Sequence, residues 1–221
     1  MADAHDAPRA GIGALHDALD AVILLVADDA TAVAWDGPSV LPELTVGALC
    51  GHLYLAARRT RHRLDQAAAP RTSSVMGVGE YYVAARLADD GDLSAPRPAQ
   101  VREDGGHVAA RGHAVVVDRF RALRAVLLDR LTAGELGRLV VVETGRAVSF
   151  GDFLDTRTTE LVVHGDDLAS SIGRATAPGP DALAVAIGVL LAVVRHQSGD
   201  AAVVRALARP GRAAPGVLRA L

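Results

Sequence analysis

The chain has 221 residues, of which 50% are hydrophobic and 22% are charged, and its formal net charge is −3. This length and composition predict a soluble globular protein with a substantial core in one or two domains. The basic residues are scattered along the chain, which excludes the basic patch typical of nucleic-acid-binding proteins.

Cysteine content and hydropathy bear on the compartment. Cys50 is the single cysteine of the chain, so no internal disulfide can form, as expected in a reducing compartment. The chain does not open with a secretory signal pattern, and apolar runs such as residues 182–194 fall short of a membrane span. We therefore expect a cytoplasmic protein with no membrane contact. Lys and Asn are both absent; because their codons are A-rich, we infer a G+C-rich source genome.

The first part of the chain predicts two helices separated by a turn. Apolar residues at helical spacing predict the first helix over residues 11–31, and the Gly and Pro in residues 35–39 predict the turn. Thr45 is a suitable N-cap for a second helix that extends to about residue 68. His52 lies at the edge of the apolar stripe of this helix. Its opposite face is interpreted as a solvated basic surface, with Arg58, Arg59, Arg61, His62 and Arg63.

The middle of the chain has weaker patterns. Residues 71–79 predict a loop and residues 80–87 a short helix, in which Tyr82 is assigned equally to the core or to a pocket. Residues 89–106 are rich in Gly, Pro and charge and predict a mobile loop at the mouth of a pocket. Residues 108–131 repeat apolar side chains every three or four positions and predict a third long helix.

The remaining segments complete an all-α fold class. Residues 138–150 predict a small β-hairpin, residues 151–173 and about 181–196 predict long helices, and residues 201–221 predict short tail helices. Four long amphipathic segments predict a four-helix bundle. We assign the bundle domain to residues 1–198 and a short helical tail packed on it to residues 199–221.

The helix predicted over residues 151–173 carries ionisable residues on the face that should be buried. At about 100° per residue, this face combines Phe153, Arg157, Glu160, Leu161, His164, Asp167, Leu168 and Ile172. The opposite face is expected to be solvated and carries Asp155, Thr159, Asp166 and Ser170. Burial of charged groups is unfavourable unless they are paired or bind a metal. Because Glu160 and His164 are one helical turn apart, their spacing favours metal ligation.

The predicted metal ligands are His52, Glu160 and His164. Two nitrogens and one carboxylate oxygen suit Zn²⁺, and three protein ligands leave a fourth position for water or substrate, as in catalytic zinc sites. Helix bundles build such sites from facing helices. Cys50 lies about 200° around its helix from His52, so we expect it to be a small buried residue and not a ligand of the same ion.

Arg157 and Asp167 are the other ionisable residues of this face. We predict both as catalytic residues, because residues around a metal site orient its ligands, and either side chain could orient His164 or Glu160 or contact substrate. The alternative is a structural role in which the two charges neutralise each other or the site.

Several segments resemble the mycothiol-dependent maleylpyruvate isomerase family. They are Trp35 with the following Pro-Ser and Leu-Pro, residues 44–46 leading to Gly51-His52-Leu53, the segment RTTELVVHGDDLA at 157–169, and GDAAVVRAL at 199–207. The resemblance implies a DinB-like four-helix bundle in which His52, Glu160 and His164 bind zinc. It also implies an actinobacterial source. The chain departs from the family pattern in having Leu44 where most members have Trp, and in the short tail after Gly199, where the characterised isomerase has a further domain.

Two classes of function follow from these residues and this resemblance. The first is a Zn²⁺-dependent isomerase or S-transferase that uses a low-molecular-weight thiol, mycothiol, as co-substrate with a small electrophilic metabolite; a zinc-bound hydroxide acting in hydrolysis is the enzymatic alternative. The second is a non-catalytic bundle that binds a metal, an apolar ligand or a partner protein. An open metal position facing a cleft favours catalysis, whereas a closed coordination sphere favours binding.

Overall fold

The structure is a computed structural model that describes residues 7–70, 72–87 and 96–220. These residues form helices and one small sheet, which confirms the predicted all-α fold class. The elements are α1 (Ala7–Val26), α2 (Asp29–Ala34), α3 (Val46–Asp65), α4 (Val78–Leu87), α5 (Pro96–Ala109), α6 (His113–Arg130), β1 (Leu139–Val141), β2 (Ala147–Ser149), α7 (Phe150–Ser171), α8 (Pro180–Ser198) and α9 (Asp200–Ala208).

Helices α1, α3, α6 and α7 form a four-helix bundle in which each helix packs against two of the others. α1 and α7 run parallel, and α3 and α6 run parallel to each other in the opposite direction. The ion pair between Asp65 and Arg130, both at the C-terminal ends of their helices, shows the parallel arrangement of α3 and α6. Helices α3 and α7 are therefore antiparallel neighbours, and their facing side chains form the site described below.

The core of the bundle consists of the apolar stripes of these four helices. Its largest fully buried side chains include Leu15, Leu19, Leu53, Phe120 and Phe153. Burying each such side chain contributes about 1.5–3 kcal/mol relative to leaving it exposed. The stripes coincide with the apolar positions that predicted the helices, because the same 3.6-residue period defines both.

Local sequence signals fix where the two helices of the site begin. Thr45 caps α3, its Oγ1 accepting a hydrogen bond from the Ala48 amide at 3.1 Å, as predicted. Ser149 caps α7 in the same way, with 2.9 Å between its Oγ and the Asp152 amide. The predicted hairpin is also present: β1 and β2 are antiparallel, with Val140 opposite Val148. The chain passes directly from β2 into α7.

Three predicted boundaries are corrected by the structure. The helix predicted over 11–31 is divided into α1 and α2, because Asp28 caps a new helix through the Ala30 amide. The helix predicted over 108–131 is interrupted at Gly112, whose φ of 89° is unfavourable for residues with a Cβ. The predicted loop 89–106 is wrong from residue 96 onward, where α5 begins; its residues 89–95 lie outside the described part of the chain.

Helix α5 forms despite its Gly and Pro residues for two reasons. Pro96 and Pro98 occupy its first turn, where backbone amides have no partner within the helix. Gly105 packs directly against Gly51 of α3, so closely that a Cβ on Gly51 would collide with the Gly105 carbonyl oxygen. The glycines that suggested a loop are therefore the residues that allow the backbones of α3 and α5 to approach.

The solvated face expected for α7 is only partly present. Asp166 and Ser170 are exposed, but Thr159 is fully buried and Asp155 is half-buried. The prediction was wrong for Thr159 and Asp155. Helix α7 packs against α1, α3 and α8, which leaves little of its first half in contact with water. Burial, together with the neighbouring Asp152 charge, raises the pKa of Asp155 to about 6.

Helix α8 lies against α1, α4 and α7, and α9 packs against α8. Among the described helices, α8 is the one whose length and composition would allow it to cross a membrane, so the expectation that its apolar run is too short does not hold for the complete helix. A core helix of a soluble protein passes the same test, and this feature alone is weak evidence for a membrane span. The division into domains at residue 198 stays a prediction.

Replacing Asp155 with Asn should make the protein more stable at neutral pH. The pKa of Asp155 is about 6 in the folded protein, against roughly 3.9 for an unfolded aspartate. Between these two pKa values the folded state binds more protons than the unfolded state does. The free energy of unfolding therefore falls as the pH rises from the unfolded pKa to the folded pKa of Asp155. The variant should gain up to about 3 kcal/mol at pH 7 and almost nothing near pH 4.

Urea unfolding at several pH values measures this difference. The matched control is Asp166→Asn, which changes an exposed aspartate of the same helix. A gain for Asp155→Asn of the same size at acidic and neutral pH would show that desolvation of the carboxylate is not its cause.

Candidate metal centre

Two adjacent helices bring the three predicted ligands together. His52 projects from α3, and Glu160 and His164 project from α7. Glu160 Oε2 lies 3.8 Å from His52 Nε2 and 3.6 Å from His164 Nε2. One potential ligand atom from each residue lies within 4.8 Å of those of the other two. The sequence therefore correctly predicted which residues converge, while ligation of a metal by them stays a prediction.

The carboxylate of Glu160 is the electrostatic centre of the cluster. Burial opposes its ionisation, but the nearby His52, Arg157 and His164 outweigh this effect and hold the pKa of Glu160 well below its usual range. Burial lowers the pKa of His52. These two residues are therefore in the protonation states that metal ligation requires, a carboxylate and a neutral imidazole.

Asp167 holds the second histidine in a defined orientation. His164 Nδ1 lies 2.8 Å from Asp167 Oδ2, and the ring of His52 packs edge-on against that of His164 with centroids 4.8 Å apart. Burial opposes protonation of His164, but Asp167 and Glu160 outweigh it and raise the pKa of His164. With the Nδ1 proton directed to Asp167, Nε2 is the ring nitrogen that faces Glu160. As a metal ligand, this nitrogen would bind in the neutral form of the ring. This carboxylate–histidine arrangement is typical of protein metal sites, so the donor set fits a divalent cation.

Arg157 lies on α7 beside the cluster, about one helical turn before Glu160 in the sequence. Its side chain is only 5% exposed, its Nε donates to Thr156 Oγ1 at 3.2 Å, and its guanidinium lies 5.2 Å from the centroid of the Phe153 ring. Arg157 and Asp167 do not neutralise each other through an ion pair within the described ranges. Asp167 instead contacts His164, and the charge of Arg157 acts on Glu160.

Tyr82 is a site residue that the sequence left undecided between core and pocket. The structure places it in the core, buried beside Val189 and Val193 of α8, and its hydroxyl donates to Glu160 Oε1 at 2.5 Å. This hydrogen bond occupies one oxygen of Glu160 and leaves Oε2 facing the two histidines. The sequence of the short helix α4 does not indicate that Tyr82 contacts Glu160, because α7 lies far from α4 along the chain and meets it only in the folded protein.

A cavity of about 30 Å³ adjoins the cluster and is lined by residues of both helices, among them His52, Arg157 and Glu160. This volume holds about one water molecule. Its outer wall contains Asp104 of α5, a residue that the sequence placed in a loop. Two of the candidate ligands, His52 and Glu160, therefore face a small space and are not completely enclosed by other side chains.

Cys50 lies outside the cluster, as the helical spacing predicted. It is fully buried, and burial raises the pKa of its thiol to about 12. A thiol with this pKa remains protonated at neutral pH and is a poor nucleophile. Cys50 therefore acts as a small core residue of α3.

The fold and the cluster define a helical bundle with a candidate metal centre of two histidines and one glutamate. Residues 12–169 match the family model for the mycothiol maleylpyruvate isomerase N-terminal domain. This match covers most of the chain, and the protein belongs to that family, which confirms the resemblance seen in its motifs and the DinB-like bundle. Neither the comparison with curated proteins nor that with solved structures gives a match.

Replacing Tyr82 with Phe should weaken metal binding at the cluster. The change removes the hydroxyl that holds Glu160 Oε1 while keeping the ring packed against α8. Loss of such an outer hydrogen bond lowers metal affinity by about 10- to 100-fold. Competition of the purified protein with a chromophoric chelator for Zn²⁺ measures this affinity.

The control is Tyr81→Phe, because the Tyr81 hydroxyl lies at the longer distance of 3.5 Å from a different carboxylate, that of Glu143. This variant should bind Zn²⁺ like the wild type. Equal Zn²⁺ affinities of the Tyr82→Phe and Tyr81→Phe proteins would show that the Tyr82 hydroxyl does not contribute to metal binding.

Proposed function

We propose that the protein is a metal-dependent enzyme in which His52, Glu160 and His164 hold Zn²⁺ and mycothiol serves as co-substrate. Its reaction is isomerisation or S-transfer on a small electrophilic metabolite. The observation that carries this proposal is the convergence of these three side chains beside a cavity. Membership of the mycothiol maleylpyruvate isomerase family supports the choice of thiol and reaction class.

The donor set explains the choice of metal and its chemical role. Two imidazole nitrogens and one carboxylate oxygen are typical ligands of catalytic Zn²⁺, with one position left for an exchangeable molecule. The ion would lower the pKa of a bound thiol and so favour the nucleophilic thiolate at neutral pH. Because Cys50 is buried and protonated, the protein has no thiol of its own in this place.

The protein side chains supply orientation and charge. The Asp167 carboxylate fixes the His164 ring with Nε2 toward the cluster, and the Tyr82 hydroxyl fixes the Glu160 carboxylate. Arg157 places a buried positive charge beside the cavity, where it stabilises negative charge on the thiolate or on the adduct. Asp167 thus acts by positioning, whereas Arg157 is the residue we assign to contact with the reacting molecules.

The cavity favours catalysis over the alternative of a non-catalytic bundle. A structural zinc site uses four protein ligands, and among the described residues the cluster contains three. The space beside His52 and Glu160 then accepts the exchangeable molecule. Hydrolysis by zinc-bound hydroxide uses the same space, so the thiol requirement separates the two reactions.

The purified protein should contain roughly one divalent metal ion per chain, and His52→Ala should remove most of it, since it deletes one of three ligands. Metal analysis after dialysis measures the content. His62→Ala is the matched control, because His62 lies on the same helix but is exposed beside Gln66. Wild-type metal content in the His52→Ala protein would refute the ligand assignment.

The Glu160→Gln variant should lose at least about tenfold in thiol-dependent turnover, because the amide keeps the size of the side chain but removes the ligand charge. Cys50→Ala should retain nearly full activity. Mycothiol-dependent loss of each compound in a panel of electrophiles measures turnover, because isomerisation returns the free thiol and only S-transfer consumes it. Circular dichroism verifies that each variant is folded. Full activity of Glu160→Gln together with loss of activity in Cys50→Ala would show that the nucleophile is the thiolate of Cys50 and not that of mycothiol.

A further inference from the structure

A cleft of about 1000 Å³ lies between α3 and α6, next to the candidate metal centre. Leu55, Arg59 and Asp104 line both this cleft and the small cavity beside His52. The two spaces therefore share a wall formed by these three side chains. The cleft is at the upper end of the volumes of small-molecule sites, and it is far larger than one thiol-activating position needs.

The charge in the cleft is predominantly positive. Five arginines and three carboxylates line it. Two of the carboxylates have arginine partners: Asp65 pairs with Arg130, and Glu143 pairs with Arg63 at 2.6 Å. The third, Asp104, accepts a hydrogen bond from Gln100.

Two of the arginines have no such partner. Arg58 of α3 and Arg119 of α6 both line the cleft, and neither has an ion pair among the residues that the structure describes. A guanidinium offers paired donors that match a carboxylate or a phosphate. The sequence had suggested only a solvated basic surface here, because it gave no indication that α6 would face these residues.

Apolar side chains line much of the rest of the cleft, together with His62 and Gln66. Tyr54 and Leu55 contribute from α3, and Ala122 and Val126 contribute from α6. These side chains are at least partly accessible to solvent. Tyr54 and Leu55 precede Arg58 by four and three residues, whereas Ala122 and Val126 follow Arg119 by three and seven, so each helix presents one basic position and neighbouring apolar side chains to the same space.

We propose that this cleft binds an elongated amphiphilic anion, with its acidic group at Arg58 and Arg119 and its apolar body along the apolar strip of Tyr54 and Leu55, toward His52 and Glu160. The inference rests on the proposed function, because this molecule is then the electrophilic co-substrate. It narrows the substrate class to carboxylates or phosphates that carry an extended apolar part. A short acid would leave most of the apolar strip in contact with water.

Calorimetric titration of the full-length protein at constant ionic strength tests the proposal. The probes are octanoate and octyl phosphate, with octanamide, acetate and inorganic phosphate for comparison, each with the protein as purified and after chelator treatment. At least one of the two long anions should bind at a single site about tenfold more tightly than octanamide or its own short counterpart. The tighter of the two identifies the acidic group.

Variants locate the site. Arg58→Gln and Arg119→Gln should each weaken binding of the long anion about tenfold. The matched control is Arg121→Gln, since Arg121 is on α6 but pairs with Asp118 and does not line the cleft; it should change the affinity less than about twofold.

Three results would overturn the proposal: no saturable binding of either long anion, equal binding of octanamide, or an equal loss in the Arg121→Gln protein. Failure of the proposed function is detected separately. Binding of the long anion must persist after chelator treatment, whereas the metal content and the mycothiol requirement are measured without these probes.

Discussion

The buried carboxylate of Glu160 is the interaction on which the arrangement of the site depends. A carboxylate removed from water is unfavourable unless other groups compensate its charge and hydrogen bonds. Here the compensation comes from three helices: His52 on α3, Tyr82 on α4, and Arg157 and His164 on α7. Each helix must be in place for the charge to be tolerated, so this one side chain couples the packing of α3, α4 and α7 to the geometry of the candidate metal centre.

Much of this arrangement could be predicted from periodicity alone. A helix repeats every 3.6 residues, so an apolar stripe identifies both the helix and its buried face. Polar residues within that stripe, such as Glu160 and His164, are then recognisable as exceptions that need a partner. The Thr45 cap and the hairpin were also predictable, because the residues that indicate them lie within a few positions of one another along the chain.

Features that depend on contacts between distant segments were not predictable in this way. The part of α5 up to residue 106 was expected to be a loop because of its Gly, Pro and charged residues, whereas the close approach of Gly105 is explained by Gly51, on another helix. Asp155 was expected to be solvated because its side of α7 has polar residues, but the packing of α1 and α8 buries it. Tyr82 could not be assigned because its partner, Glu160, follows 78 positions later.

The contact between Gly51 and Gly105 has a consequence for how the space beside the candidate metal centre can change within this fold. Asp104, in the outer wall of the cavity, is adjacent in sequence to the glycine that touches α3. The distance between the two backbones therefore sets the width of the inner space, and no side chain intervenes between them. Adding one methyl group at Gly51 would force α5 away and enlarge the entrance while leaving His52, Glu160 and His164 chemically intact. The shape of this space can thus change through interhelical spacing, independently of the three candidate ligands.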